Sequence, residues 1–298
     1  FDMGPSWYLM PEVFEDFFEL FGKRREDYYR LVRVDPYYRV FFGKGERADV
    51  TPDIEATKRL FETFEPGAGP RLGQYLAAAQ YKYDTAMTDF LYREYRHLFQ
   101  FFNRKLAARG LKLDIFSSLD RSVRRFFSDR RARQILEYAM VFLGASPDNA
   151  PALYSIMSHV DLTLGVWYPD GGIGSIVKGL ERLGTEQGVE FVYDCPATGF
   201  RFEGKRITAV RTAKGEFAAD LVVNNADYHH ADRELLPPER AAYSEAWWNR
   251  RVVAPSMFIL YLGIEGRVPE LVHHNLYFQE DWRRHFSAIF EEPAWPDD

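Results

Sequence analysis

The chain has 298 residues, 46% of them hydrophobic and 28% charged, enough to bury a sizeable core in two lobes or parts of two. Its net charge of −6 argues against nucleic acid, which selects basic faces. The single cysteine, Cys195, excludes an intramolecular disulfide and any multi-cysteine metal site.

In chain order, residues 1–11 read as a loop and 11–22 as a short helix. Pro11 opens that helix, Val13, Phe14, Phe17, Phe18, Leu20 and Phe21 form its apolar side, and Gly22 ends it. Residues 31–50 alternate as two strands, through Leu31, Val32 and Val34 and then Tyr38, Val40 and Phe42. Residues 51–160 are expected to be helical: Thr51-Pro52-Asp53 is a start signal and Pro66 to Pro70 a break. Long helices are predicted around 70–107 and 118–143, and Asp148 to Pro151 separates them from one more, ending near Leu164. The 118–143 segment carries Arg121, Arg124, Arg125, Arg130, Arg131 and Arg133 beside Phe126, Phe127, Ile135, Leu136 and Tyr138. It reads either as a membrane-surface element or as a solvated face with acidic partners elsewhere.

From residue 165 the pattern returns to α/β. A helix is expected from Gly174 to Gly184 and a strand from Val189 to Tyr193. Two strands near 199–203 and 206–212 are joined at Gly204-Lys205, and Leu221 to Asn224 reads as a strand apolar on both faces, like a buried central strand. Ligands bind beyond the carboxyl ends of such strands, where Asn225, Ala226 and Asp227 stand. Paired glycines before a helix, here Gly171-Gly172, let the backbone approach a ligand closely, and equally make a tight turn.

This is half of a dinucleotide-binding unit. Gly172-Ile173-Gly174 is followed by Gly179, so the spacing of a phosphate turn is not met and no such turn is present. The chain is therefore expected to be the middle of a larger nucleotide-cofactor protein. Its aromatic content is high, with 25 Phe and 18 Tyr, and clusters in residues 1–102. Tyr28-Tyr29, Tyr37-Tyr38, Phe41-Phe42, Tyr75 and Tyr81 either line a tunnel for a long apolar ligand or form ordinary core. No run reaches the roughly 18 apolar residues of a transmembrane helix, so any membrane contact is expected to be peripheral.

Three motifs make the residues recognisable: Phe1-Asp2-Met3-Gly4-Pro5-Ser6-Trp7-Tyr8-Leu9-Met10-Pro11, Trp167-Tyr168-Pro169-Asp170-Gly171-Gly172 and Asn224-Asn225-Ala226-Asp227. In this order and spacing the chain resembles the bacterial phytoene desaturases, flavin-dependent carotenoid oxidoreductases of the glutathione-reductase-like amine-oxidase superfamily.

The resemblance implies an incomplete α/β FAD-binding domain interleaved with a mainly helical, membrane-facing substrate domain. Residues 1–50 would lie at the junction, 51–164 in the substrate domain, 165–230 in the FAD-binding domain and 231–298 again in the substrate domain. It further implies that Gly4, Pro5, Gly171, Gly172, Ala197, Asn225, Ala226 and Asp227 meet FAD, and that Trp7, Tyr8, Trp167 and Tyr168 meet a polyene substrate. The expected protein is cytoplasmic and peripheral to a membrane, takes a long apolar polyene and no nucleic acid, and needs no metal. The fragment alone is expected neither to hold flavin nor to turn over.

The expected reaction removes two hydrogens from adjacent carbons of an unactivated polyene, one leaving as hydride. A hydrocarbon offers no carbonyl to polarise, so holding and shielding the reacting carbons is the main task. The sequence selects no base: His159, His229, His230, His273 and His274 are candidates by residue type alone, and no Ser/His/Asp constellation stands out. Alternatives are a carotenoid isomerase or ketolase on the same scaffold, or a non-catalytic binder of apolar lipids.

Overall fold

The computed structural model describes residues 7–92, 94, 96, 97, 113–253, 257–292, 294 and 295. Gly4, Pro5 and most of the predicted helix beyond residue 92 lie outside the described residues. The chain divides into two compact units, residues 1–180 with 255–298, and residues 181–254.

In the first unit, helix α1 (Pro11–Glu19) starts on its proline as expected, and Gly22 follows it in a left-handed conformation, φ 65°. Residues 31–50 form three strands instead of the expected two: β1 (Leu31–Arg33), β2 (Tyr38–Phe41) and β3 (Arg47–Val50). The segment Val34 to Tyr37 turns the chain away from β1, so β1 pairs elsewhere while β2 and β3 form an antiparallel hairpin. The side chain of Asp53 caps helix α2 (Ile54–Phe64), accepting from Glu55 N at 2.9 Å. Helix α3 (Ala68–Thr85) follows, continuing as a π-helical turn to Leu91. Proline is tolerated at Pro70 because the first-turn amides of a helix have no intrahelical partner.

The predicted continuous helix over 118–143 is broken. It becomes α4 (Leu119–Arg124), α5 (Arg130–Glu137) and a 3-10 stretch from Tyr138 to Leu143. The cause is a polar contact that periodicity does not reveal. Glu65, at the end of α2, accepts from Ser128 N and Asp129 N at 2.8 and 2.6 Å, and Asp129 then caps α5 through Arg131 N. The last turn of α2 thus satisfies orphan amides at two helix starts, since Glu62 also accepts from Gly67 N and Gly69 N at the head of α3. Those two backbone hydrogen bonds hold the Glu62 carboxyl below its usual range. Glu65→Ala strands two amide donors and removes an ion pair with Arg71. It is expected to cost about 2–3 kcal/mol in urea denaturation, with Glu65→Gln intermediate.

Three arginines of this region have acidic partners: Arg124 pairs with Asp120, Arg125 with Asp114, and Arg131 with Asp129. Short helical turns over 152–164 lead into β4 (Trp167–Pro169), followed by α6 (Gly174–Glu186), in which the boundary between the units falls. Toward the C-terminus, β8 (Asn275–Tyr277) adds to β2 in parallel, and α7 (Trp282–Phe290) follows it. The core of this unit holds Tyr37, Tyr38, Val40, Phe42, Phe61, Leu72, Leu119, Phe127, Ile135 and Met140, each almost without solvent contact. For Tyr37, Tyr38, Phe42 and Tyr75 the structure therefore decides for core over tunnel wall.

The second unit is an antiparallel meander, β5 (Ala197–Glu203), β6 (Arg206–Thr212) and β7 (Gly215–Ala218), with short helical turns after it. The turn at Gly204-Lys205 is where the sequence placed it. Two expected strands are not formed: Val189 to Tyr193 and Leu221 to Asn224 have no ladder. Leu221 is 81% and Val223 83% exposed. A central parallel strand requires hydrogen-bonding neighbours on both sides, and among the described residues of this unit none is offered to either segment.

Candidate functional site

Strand β4 organises the site in the first unit. Its Trp167 exchanges both backbone hydrogen bonds with Tyr8, at 3.1 and 2.9 Å, while β1 pairs on it with Arg33 opposite Trp167 and Val32 opposite Tyr168. Two motifs nearly 160 residues apart in sequence are thereby laid side by side. The strand ends at Pro169, whose carbonyl accepts from Gly172 N at 3.0 Å to close the Gly-Gly turn. Gly171 and Gly172 have φ of 81° and 93°, which L side chains rarely adopt, and a Cβ on Gly171 would meet open space.

Around this strand stands a ring of aromatic groups. Trp7 lies 4.7 Å from the His274 ring, 5.3 Å from Tyr38, 5.7 Å from Phe142 and 5.9 Å from Tyr138. Tyr168 meets His273 edge-on at 4.5 Å. The two histidines are joined, Nδ1 of His273 to Nε2 of His274 at 3.3 Å, and Nδ1 of His274 lies 3.0 Å from the Tyr37 carbonyl. Burial, then the neighbouring His274, pulls the His273 pKa down, so at neutral pH its ring favours the uncharged form.

Beneath Trp7, the buried carboxyl of Asp161 accepts from the Tyr38 hydroxyl at 2.7 Å and the Tyr138 hydroxyl at 2.9 Å, both on Oδ2. Its Oδ1 has no hydrogen-bond partner, and burial pushes the group up to about 7 against the pull of the two hydroxyls. Both tyrosines are driven far above their usual range by burial and by the Asp161 charge.

Of the residues expected at the substrate, Trp7, Trp167 and Tyr168 are half-buried and come together here. Tyr8 joins them through its backbone. Its ring is buried against Phe14 and Tyr29, and its hydroxyl is 2.7 Å from that of Tyr29. Of the residues expected at the cofactor, Gly171 and Gly172 adjoin this group, while Gly4 and Pro5 are outside the described residues.

The remaining four lie in the second unit. Ala197 opens β5, exposed and paired with Thr212. The exposed Asn225-Ala226-Asp227 segment is turned by side chains: Asn224 Oδ1 accepts from Ala226 N at 3.3 Å and Asp227 Oδ1 from His230 N at 2.8 Å. His229 lies edge-on to Trp248, and His159 is buried beside Tyr83. Sequence reasoning named Tyr38 and Tyr138 as aromatic residues but passed over Asp161, which joins them. The available signal was one carboxylate within the otherwise weakly polar run Ile156 to Leu164.

The sequence places the chain in a known class. The chain belongs to the family described as flavin containing amine oxidoreductase, which matches residues 1–292. It is 46% identical over its whole length to a carotenoid 3,4-desaturase of Haloarcula japonica, covering 60% of that protein. It is 36% identical, over 97% of its length, to the zeta-carotene-forming phytoene desaturase of Myxococcus xanthus, covering 56% of it. A 4,4'-diapolycopene oxygenase of Methylomonas sp. is 31% identical over the whole chain, which covers 60% of that relative. The chain thus spans 56–60% of the length of these three relatives.

Proposed function

We propose that this protein serves FAD-dependent desaturation of phytoene or a related polyene in carotenoid biosynthesis. The observation that carries the reading is the juxtaposition of β4, the Gly171-Gly172 turn and the Trp7–His274 ring group, in a chain related to proteins named carotenoid desaturases. A bare turn with open space where a Cβ would stand suits close approach of a flat ring, so Gly171 and Gly172 fit the flavin and Asn225 to Asp227 remain further candidates to hold it. FAD, when bound, supplies the hydride acceptor. The chain's own part is to hold the polyene flat against Trp7 and Tyr168 and to keep water from it. His273, held uncharged, and the buried Asp161 bracket that wall, and each can hold a proton.

Trp7→Ala removes the ring that four aromatic neighbours enclose. In the flavin-loaded enzyme it is expected to lower kcat/KM by about 10²-fold, measured by the yield of desaturated product. The decisive experiment expresses the complete natural reading frame in a host that accumulates phytoene and records the pigment spectrum of the extract. Long-wavelength polyene bands support the proposal and count the steps, and unchanged phytoene beside flavin-loaded protein overturns it. Oxygenated products would point instead to the ketolase alternative.

Residues 1–298 alone are proposed neither to retain flavin nor to turn over, and a flavin-to-protein ratio near one on that piece would refute this. Peripheral membrane contact also belongs to the proposal. Phe17, Leu20 and Phe21 expose apolar surface on and after α1, and among the described residues no helix is long and apolar enough to cross a membrane. Co-sedimentation with vesicles tests it.

A further inference from the structure

A cavity of about 580 Å³ in the first unit is lined by none of Trp7, Trp167, Tyr168, His273 and His274. One face of α5 lines it with Arg130, Arg133, Gln134 and Glu137, at the i, i+3, i+4 and i+7 positions that a helix stacks on one side. Every one of these side chains has a buried polar atom without a hydrogen-bond partner: Arg130 Nη1, Arg133 Nε, Gln134 Oε1 and Glu137 Oε1. Gln134 is 2% and Glu137 4% exposed. A buried polar atom left unpaired is costly, and four on one helical stripe call for polar partners that the chain itself does not supply.

The lining carries four arginines against five carboxylates, so the unpaired donors, and not net charge, choose the occupant. The carboxylates across the cavity are largely engaged: Asp120 with both oxygens on Arg124 Nε at 2.8 and 2.7 Å, Glu280 on Lys44 at 3.0 Å, and Asp281 as the cap of α7. Arg130 also stands near Glu280, and Asp148 and Arg283 complete the charged lining. Among the described residues no group of three or more His, Cys, Asp or Glu side chains is placed to hold a metal ion. Unpaired guanidinium donors remain, with a carbonyl acceptor beside them on Gln134. Guanidinium groups match phosphate oxygens in shape and charge, and an amide oxygen suits a hydroxyl.

We propose that this cavity binds a phosphate monoester, with its phosphate on Arg130 and Arg133 and a hydroxyl of its organic part on Gln134. Glu137 then sets the pH range. Burial, reinforced by Asp120 and Asp148 and opposed by Arg133 and Arg124, raises its carboxyl to about 8, so near neutrality it faces the anion uncharged.

The test titrates the full chain with glycerol 3-phosphate by calorimetry, and separately sediments it with phosphatidic acid or phosphatidylcholine vesicles. Binding below about 10 mM, weakened about ten-fold or more by Arg133→Met in a protein of unchanged circular dichroism, supports the site. No binding, or binding indifferent to Arg130→Met and Arg133→Met, overturns it. Glu137→Gln keeps the shape of the wall and supplies an independent check. Wild-type affinity is expected to fall about ten-fold between about pH 7 and pH 9 while the Gln variant stays flat, and a parallel decline in both would remove Glu137 from the site. Arginine-dependent binding to phosphatidic acid vesicles as well identifies a lipid headgroup as the source, and binding of the soluble ester alone identifies a free metabolite.

Discussion

Gly165→Ala is expected to destabilise the first unit by about 3–5 kcal/mol, the sum of left-handed backbone strain and overpacking of a closed core. Gly165 has φ 93°, and a Cβ there would stand 2.9 Å from Cζ of Tyr37 and 3.0 Å from Nε of Arg33, with the Tyr37 hydroxyl closer still. Tyr37, the nearest of these groups, cannot yield cheaply. Tyr37 has no solvent contact, and its hydroxyl is bound by Arg33, whose guanidinium lies 5.7 Å from the Trp167 ring centre. Gly165 also joins the helical turns over 152–164 to β4, so relief of the clash would move the strand that carries Trp167 and Tyr168. Urea or thermal melts check the expectation, a shift of about 10 °C corresponding to this range in a chain of this size. Gly171→Ala is the control. At φ 81° with open space around its Cβ it incurs conformational strain alone, about 1–2 kcal/mol. Equal losses at the two positions would refute the steric account.

Asp161 governs the second large effect, which depends on pH. Its folded-state pKa of about 7 lies above the ordinary 3.8, so between those values the folded chain binds more protons than the unfolded one. The contribution is fully present below about pH 4, declines as pH rises, and is lost once pH passes about 7, where an ionised carboxylate is buried with one oxygen unpaired. Asp161→Asn keeps an acceptor for Tyr38 and Tyr138 and cannot ionise. Its stability relative to wild type is expected to rise by a few kcal/mol, on the order of one per pK unit, between about pH 4 and 7, and then to level off. Asp161→Ala strands two buried tyrosine hydroxyls and is expected to cost about 2–5 kcal/mol below about pH 4, a deficit that shrinks relative to wild type between about pH 4 and 7 because alanine cannot ionise either. Denaturation midpoints measured across the pH range separate the variants, and a flat difference between Asp161→Asn and wild type would show that the group is ionised throughout.

Local signals in the sequence were read correctly wherever the physics was local. Pro11, Asp53, Gly22 and Gly204-Lys205 act within a few residues of themselves through a fixed φ, a side-chain cap or a left-handed turn, and the structure places helix starts, a helix end and a hairpin there. Elements whose existence depends on a distant partner were misread. The helix at 118–143 breaks because Glu65, more than sixty positions earlier, takes the amides of Ser128 and Asp129. The apolar runs at 189–193 and 221–224 have strand composition and no ladder, since a strand is defined by its neighbours and not by its own residues.

The candidate site divides in the same way. Trp7, Trp167, Tyr168 and the Gly171-Gly172 turn stood out as motifs in one dimension, and their order and spacing already carried the resemblance to carotenoid desaturases. Nothing in the sequence brings His274 to Trp7, or Asp161 to Tyr38 and Tyr138 across 123 and 23 positions. Caps, turns and motif order belong to the sequence by itself, because a few neighbouring residues determine them. Tertiary structure alone decided which aromatic rings are core, which carboxyl is buried and which arginine donors are left unpaired, because burial and hydrogen-bond satisfaction are properties of groups that meet only after the chain has closed on itself.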